Sequence, residues 1–226
     1  TNDGILTTSN IGSTVNVSDV ELTNIENTGI TLQNNETNDP TTANIDGVTI
    51  DSSSGATGII VPSANSAPSS LNVDNADIND TDVGVAFNQT TDGNLVSVTN
   101  SEITNSGSQG IILDGSGNDV EVRTHFNTLS ENAKAIEVSS DITGTASVNF
   151  TFNDITNNQN AGLDVSTGQT GTVNANYSYW GSSYGPGGAV DGNSVVDSTG
   201  NEVAPKGSSD VTFTPFLTES VDTLEP

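Results

Sequence analysis

The chain has 226 residues, of which 29 are acidic and only three are basic, so its formal net charge is −26. Because no basic patch can form, this charge excludes a nucleic-acid partner. The chain has no cysteine, which excludes disulfides and thiolate metal sites. It also has no apolar run long enough to insert into a membrane.

The acidic surplus is typical of halophilic proteins, in which it maintains solubility. At about 1 M salt the Debye length falls to roughly 3 Å, so the self-repulsion of such a chain is largely screened. The scarcity of lysine beside abundant Asp, Ser and Thr favours a haloarchaeal or similarly halophilic source. An acidic extracellular protein that binds divalent ions is the alternative interpretation.

One sequence block recurs along residues 1–173. In each copy two apolar residues flank a polar one, a third apolar residue follows, and a small residue then precedes another alternating apolar pair. The small residues of the copies lie 25 to 29 residues apart: Gly29, Gly58, Gly84, Gly110, Ala135 and Gly162. Gly4 lies 25 residues before Gly29 and indicates a partial first coil.

A fixed period of this size indicates a solenoid, and the local alternation indicates strands. No segment has a helical period, the leucine spacing is too loose for a leucine-rich repeat, and a propeller blade would need about 40 residues. We therefore predict an all-β, right-handed parallel β-helix of about seven coils, with about three short strands in each.

A polar residue recurs two positions after the third apolar residue of each block. The members of this stack are Asn24, Ser52, Asp80, Asn105, Glu131 and Asn157. We expect the stack to lie at a turn, where such side chains hydrogen-bond the backbone.

The pattern changes over residues 174–220, which we predict to cap the last coil. Their aromatic side chains Trp180, Phe213 and Phe216 can cover the open apolar end of the solenoid. Residues 221–226 are expected to begin a linker or tail.

A second interpretation of the same segment is a platform on which sugars stack. Its members would be Tyr177, Tyr179, Trp180 and Tyr184.

The sequence Trp180-Gly181 followed by Gly185-Pro186 resembles the closing segment of many secreted right-handed β-helix proteins, the pectin-lyase-like superfamily. Their final coil often carries an Asn-x-Trp-Gly-x-x-x-Gly-Pro motif. Phe216 departs from the pattern, because Trp is common there. The coil blocks are similar to the superfamily's repeats, so the resemblance covers nearly the whole chain. It implies the fold but no single activity, since the superfamily includes lyases, hydrolases, epimerases, adhesins and phage tailspikes.

Enzymes of that superfamily usually act on acidic polysaccharides, with clustered Asp residues beside a basic residue, or with Asp residues for acid–base hydrolysis. Arg123 and His125 are the only basic pair, two apart on one predicted strand and near Asp119 and Glu121. They are the candidate catalytic residues. A surface at −26 would repel a polyuronate, and two solvated side chains are the alternative interpretation.

Two loops are candidates for Ca²⁺, the one cofactor that the sequence suggests. The first is similar to the Gly-rich Ca²⁺ loops of β-roll repeats, and contains Asp114, Asn118 and Asp119. The second contains Asp191, Asn193 and Asp197. Ca²⁺ needs six to eight oxygen ligands, so solvated loops are the alternative.

Six Asn-x-Ser/Thr sequons are candidates for N-glycosylation, all at predicted outward or turn positions. They begin at Asn16, Asn35, Asn79, Asn88, Asn149 and Asn176.

These observations favour a non-catalytic module of an extracellular or cell-surface protein, acting as a rigid stalk, an adhesive or a binding surface. Its partners would be glycans or surface proteins, and a homo-oligomer or filament is compatible with it. The chain starts in the middle of a coil, which suggests a longer parent. The alternatives are a receptor-attachment spike or turret of a halophilic virus, and a polysaccharide lyase or glycoside hydrolase.

Overall fold

A computed structural model of the protein describes residues 4–9, 13–34, 41–52, 55–62, 69–88, 95–114, 120–138, 147–165, 172–187, 195–196 and 211–224. The secondary structure there consists of short strands and a single turn of 3₁₀ helix, Val221–Leu224. The strands are β1 Ile5–Ser9, β2 Thr14–Ser18, β3 Glu21–Ile25, β4 Thr28–Asn34, β5 Thr41–Asp46, β6 Thr49–Ser52, β7 Thr57–Val61, β8 Ser69–Asp74, β9 Asp77–Asn79, β10 Val83–Phe87, β11 Leu95–Thr99, β12 Glu102–Thr104, β13 Gln109–Leu113, β14 Glu121–His125, β15 Thr128–Ser130, β16 Lys134–Val138, β17 Ser147–Thr151, β18 Asp154–Thr156, β19 Ala161–Val165, β20 Val173–Asn174, β21 Val195–Val196 and β22 Val211–Thr212. Within this part of the chain no helix has the length and apolar character needed to cross a membrane.

The strands stack into three parallel sheets, and each complete coil adds one strand to each sheet. Sheet A runs β1-β4-β7-β10-β13-β16-β19-β21, sheet B runs β2-β5-β8-β11-β14-β17-β20-β22, and sheet C runs β3-β6-β9-β12-β15-β18. The predicted parallel β-helix is therefore confirmed. About five full turns separate the first and last of the six strands of sheet C, so the predicted count of about seven coils differs slightly.

The interior is a set of stacked apolar side chains, as the alternation predicts. On sheet C the inward residue of every strand after β3 is an Ile or Leu without exposed surface: Ile50, Ile78, Ile103, Leu129 and Ile155. Leu22, the equivalent residue of β3, is partly buried. Each such burial stabilises the fold by about 1.5–3 kcal/mol. A low content of apolar residues is thus sufficient to form the core, because each coil buries its few apolar side chains against the coils on either side.

The small residue that marks each coil lies where the backbones of sheet A come closest. A Cβ on Gly84 would lie 2.5 Å from the carbonyl oxygen of Gly110 and 2.5 Å from Cγ2 of Ile103. At Gly84 a side chain would therefore clash, whereas the equivalent position in a later coil accommodates the methyl group of Ala135.

Two tight turns in each coil contain a residue with positive φ. In the turn from sheet B to sheet C the positions are Asp19, Gly47, Asn75, Asn100, Phe126, Phe152 and Tyr177. In the turn from sheet C to sheet A they are Asn24, Asp80, Asn105, Glu131 and Asn157, all members of the predicted polar stack. Ser52, the remaining member, donates to the carbonyl of Ile25 at 2.7 Å.

In several coils the residue after the left-handed position is polar, and its side chain turns inward and bonds the backbone of neighbouring coils. Asn153, which has no exposed surface, accepts from the N–H of Asn127 at 3.1 Å and donates to the carbonyl of Thr124 at 3.0 Å. At the second turn, Asn132 accepts from the N–H of Ser106 at 2.9 Å and donates to the carbonyl of Ile103 at 3.0 Å. These buried amides satisfy backbone groups at bends where the sheet ladders are interrupted.

Beyond the last complete coil, sheet B continues through β20 and β22, where Val173 pairs with Val211. The side chains of Trp180 and Phe213 are fully buried in the same hydrophobic core as the coils, and Phe216 packs against that core. Gly185 has φ +83, and a Cβ there would lie 2.6 Å from the Phe216 ring. Glycine is required at this point for both reasons.

Candidate functional site

Three exposed aromatic rings form a column on the outside of the turn from sheet B to sheet C. We call Phe126, Phe152 and Tyr177 the aromatic ladder. The ring centroids are 5.7 Å apart between Phe126 and Phe152 and 5.3 Å apart between Phe152 and Tyr177, with interplanar angles of 20° and 7°. The residues keep 55%, 37% and 44% of their surface exposed, so solvated aromatic surface runs along the rod.

The ladder occupies backbone positions that disfavour it. Phe126, Phe152 and Tyr177 have φ of 58°, 57° and 59°, a region that bulky L-residues rarely adopt. The preceding coils have residues that tolerate it: Asp19, Gly47, Asn75 and Asn100. Each strained residue costs about 1–3 kcal/mol, whereas each stacked pair recovers about 0.5–1.5 kcal/mol. The strain is thus larger than the gain from ring stacking, and strained residues of this kind cluster at functional sites.

A groove of about 510 Å³ opens at the Phe126 end of the ladder. This volume is within the usual range of small-ligand sites. Phe126 is its aromatic wall, and the remaining lining is mostly polar: Asn100, Ser101, Glu102, Asn127, Thr128, Asp154, Val221 and Asp222. The groove thus combines one ring with amide, hydroxyl and carboxylate groups.

The C-terminal 3₁₀ helix forms one wall of this groove. The carboxylate of Asp154, on β18, accepts a hydrogen bond from the N–H of Val221 at 2.7 Å and another from the hydroxyl of Ser220. This attachment fixes Val221–Leu224, assigned to the tail on sequence grounds, against sheet C. Asp154 is only 6% exposed as a result.

A second, smaller groove of about 290 Å³ lies along the outer face of sheet C. Its lining residues are Thr49, Ile50, Asp51, Asp77, Asn79, Glu102 and Thr104. Glu102 lines both grooves, so the two are neighbours along the axis of the solenoid.

The candidate catalytic residues both lie on β14 with outward side chains. Arg123 forms an ion pair with Glu121. His125 is half-buried, and its Nδ1 lies 2.7 Å from Oγ1 of Thr151. Neither residue lines either groove.

Most of the candidate Ca²⁺ ligands fall on residues that the structure does not describe. Asp114 follows β13 and is exposed, whereas Asn118, Asp119, Asp191, Asn193 and Asp197 lie outside the described ranges. Among the residues that are described, no group of three or more His, Cys, Asp or Glu side chains is placed to hold a metal ion.

The glycosylation candidates differ in exposure. Asn16 is exposed, and its side-chain oxygen accepts from Asn44 at 2.8 Å. Asn35 lies outside the described residues, and the other four are half-buried: Asn79, Asn88, Asn149 and Asn176. The side-chain oxygens of Asn88 and Asn176 are buried without a partner in the described part of the chain.

The aromatic residues of the C-terminal segment separate into buried and exposed groups. Trp180 has no exposed surface, so it cannot be part of a sugar-stacking platform, while Tyr177 belongs to the aromatic ladder. Tyr184, which is 64% exposed, is not stacked on it. The sequence reasoning missed Phe126 and Phe152, although their spacing of 26 residues, with Tyr177 a further 25 on, matches the repeat.

Lys134 connects neighbouring coils on the outer face of sheet A. Its Nζ lies 2.6 Å from Asp164 and 3.0 Å from Glu137. Burial lowers the pKa of Lys134, but hydrogen bonds to Asp164 and Glu137 outweigh this, and the pKa lies above its ordinary value of 10.5. The charged interaction is therefore fully present below about pH 10.5 and is lost as the pH rises through the folded-state pKa.

We expect Lys134→Gln to lower the free energy of unfolding by about 1–2 kcal/mol at neutral pH, because two half-buried carboxylates lose their cation. The difference from the wild type should shrink as the pH rises above the folded-state pKa. Denaturant titrations at neutral and strongly alkaline pH measure both values. A difference that does not change with pH would show that the charge of Lys134 is not responsible.

In comparisons with known proteins, no protein-family model, curated protein or solved structure matches this chain.

Proposed function

We propose that this protein is a non-catalytic, extracellular glycan-binding module of an organism that lives at high salt. The observation that carries the proposal is the exposed aromatic ladder. In this function the solenoid is a rigid rod, and the ladder and its grooves are the contact surface. The resemblance to secreted β-helix proteins of the pectin-lyase-like superfamily supports an extracellular location.

A sugar ring is the ligand that fits this surface best. The C–H face of a pyranose packs on an aromatic ring, and its hydroxyls need the donors and acceptors that surround Phe126. Asn100, Glu102 and Thr128 line the groove and provide amide, carboxylate and hydroxyl groups. The strain at the ladder supports the same conclusion, because Asn at these positions would be favoured by the backbone.

A binding role is preferred to an enzymatic one because of where the basic residues lie. Arg123 is engaged by Glu121 and His125 by Thr151, and both are outside the grooves next to the ladder. Polysaccharide cleavage remains the alternative, and it predicts new reducing ends or unsaturated products that disappear in Arg123→Ala or His125→Ala.

The proposal is tested by measuring glycan binding in about 1 M NaCl, where the charge of the chain is screened. The informative variants are Phe126→Asn, Phe152→Asn and Tyr177→Asn, because Asn occupies the same left-handed position in Asn75 and Asn100. These variants should fold at least as stably as the wild type. Phe126→Asn should lose binding because Phe126 lines the groove, and Phe152→Asn and Tyr177→Asn should weaken binding less, since these rings act through the stack that ends at Phe126.

The matched control is Tyr184→Ala, which removes a more exposed aromatic residue outside the ladder. It should bind glycans as the wild type does. Glycan binding that survives all three Asn substitutions, or the absence of binding to every neutral and anionic glycan of a broad panel, would contradict the proposal.

A further inference from the structure

We infer that the ligand is a linear, neutral oligosaccharide that lies along the outer face of sheet C, with one sugar ring against Phe126. This inference rests on the proposed function and assigns it a ligand class and an extended site. The structural basis is that the two grooves adjoin each other, with Glu102 lining both.

The outer face of sheet C is a regular array of polar side chains. One column runs through Thr49, Asp77, Glu102 and Thr128, which are in register on neighbouring strands. The column beside it runs through Asp51, Asn79, Thr104 and Ser130. Successive positions are about 4.8 Å apart along the rod, so the face presents hydroxyl, amide and carboxylate groups at a constant interval.

The acceptors of this face are available to a ligand. The carboxylates of Asp51, Asp77 and Glu102 have no hydrogen-bond or ion-pair partner among the described residues. Sugar hydroxyls can donate to them, and hydrogen bonds to charged groups are the stronger class. The same carboxylates repel uronates and sulfated sugars, and none of the described Lys and Arg residues lines either groove to attract them. The charge of the face therefore selects a neutral glycan.

The site has one closed end and one open direction. At Asp154 the backbone N–H of Val221 holds the 3₁₀ helix against sheet C, which closes the face beyond Thr128. From Asp154 back to Thr49 the face extends over four strand-to-strand steps, roughly 19 Å in total. This length accommodates several pyranose rings in a row, so a linear chain fits better than a single sugar or a branched cluster.

The test measures affinity by calorimetry in about 1 M NaCl for size series from the disaccharide to the hexasaccharide. The probes are cello-, malto-, xylo- and manno-oligosaccharides, together with oligogalacturonides of the same lengths. For at least one neutral series, affinity should rise with chain length and then level off. The oligogalacturonides should bind at least tenfold more weakly than neutral chains of equal length, because their carboxylates would lie in direct contact with those of Asp77 and Glu102, and charges closer than the Debye length are screened least.

Asp51→Ala and Asp77→Ala examine the part of the face that lies away from Phe126. Each variant should lower the affinity for the hexasaccharide by about three- to tenfold. The affinity for the disaccharide should not change, since the two residues line only the second groove. The matched control is Glu26→Ala, which removes an exposed carboxylate outside both grooves and should change neither affinity.

The outcomes separate this inference from the proposed function. Affinity that is independent of chain length, or insensitive to Asp51→Ala and Asp77→Ala, overturns the extended site while Phe126-dependent glycan binding stands. Oligogalacturonides that bind as tightly as neutral chains overturn the neutral ligand class. The absence of binding by every probe overturns the inference, and a failed broad panel then rejects the proposed function as well.

Discussion

Replacement of Trp180 by alanine is expected to lower the free energy of unfolding by about 3–5 kcal/mol, because it opens a cavity in the core beyond the last complete coil. Trp180 is the largest of the fully buried side chains in the described part of the chain. The loss should be concentrated nearby, since each coil of a solenoid depends mainly on its neighbours. Denaturant titration measures the total, and amide hydrogen exchange in β18 and β20 locates it.

Two further variants make this prediction specific. The Nε1 donor of Trp180 is buried and has no partner in the described part of the chain, so Trp180→Phe removes an unsatisfied group and should cost much less than Trp180→Ala. Tyr184→Ala should change stability little, because this ring is 64% exposed. Equal effects of Trp180→Ala and Tyr184→Ala would contradict the structural role of Trp180.

Asn153→Ala is expected to lower the free energy of unfolding by about 3–4 kcal/mol, by leaving buried backbone groups unpaired. The side chain accepts from the N–H of Asn127 and donates to the carbonyl of Thr124. Alanine satisfies neither group, and the position has no exposed surface and so no contact with bulk water. Chemical denaturation of the wild type and the variant in the same high-salt buffer gives the difference.

Asn153→Ser is the matched control, because serine already fills this position in the next coil, at Ser178. The hydroxyl of Ser178 accepts from the N–H of Asn153 at 3.2 Å and donates to the carbonyl of Phe150 at 2.9 Å. Serine should therefore restore most of the stability that alanine removes. If Ser and Ala destabilise the protein equally, hydrogen bonding is not the function of this residue and only its volume matters.

The two mutations affect different requirements of one architecture. A β-helix needs apolar residues to fill its interior, and it also needs partners for the backbone where each coil bends. The buried Asn and Ser side chains provide those partners. The outer faces are consequently free to vary, and the aromatic ladder and the polar face of sheet C lie there.

The parallel β-helix could be predicted from the sequence because its cause is local and repeated. The alternation of apolar residues fixes which side chains turn inward, and the spacing of Gly84 from Gly110 follows from close contact between successive backbones. Because the period is nearly constant, the pattern in each coil supports the assignment of the next coil. The left-handed positions in the turns from sheet C to sheet A could also be recognised in the sequence as a recurring polar residue, since residues such as Asn105 tolerate positive φ.

The candidate site could not be predicted from the sequence, because it depends on which residues neighbouring coils bring together. Phe126 and Phe152 are 26 positions apart, and only the register of the coils stacks their rings on the outer surface. The hydrogen bond between Val221 and Asp154 joins residues 67 positions apart. It forms one wall of the groove, and no local sequence pattern predicts it. The sequence alone determined the scaffold, through periodic burial and steric limits. The tertiary structure decided the binding surface, because that surface consists of contacts between residues one or more coils apart.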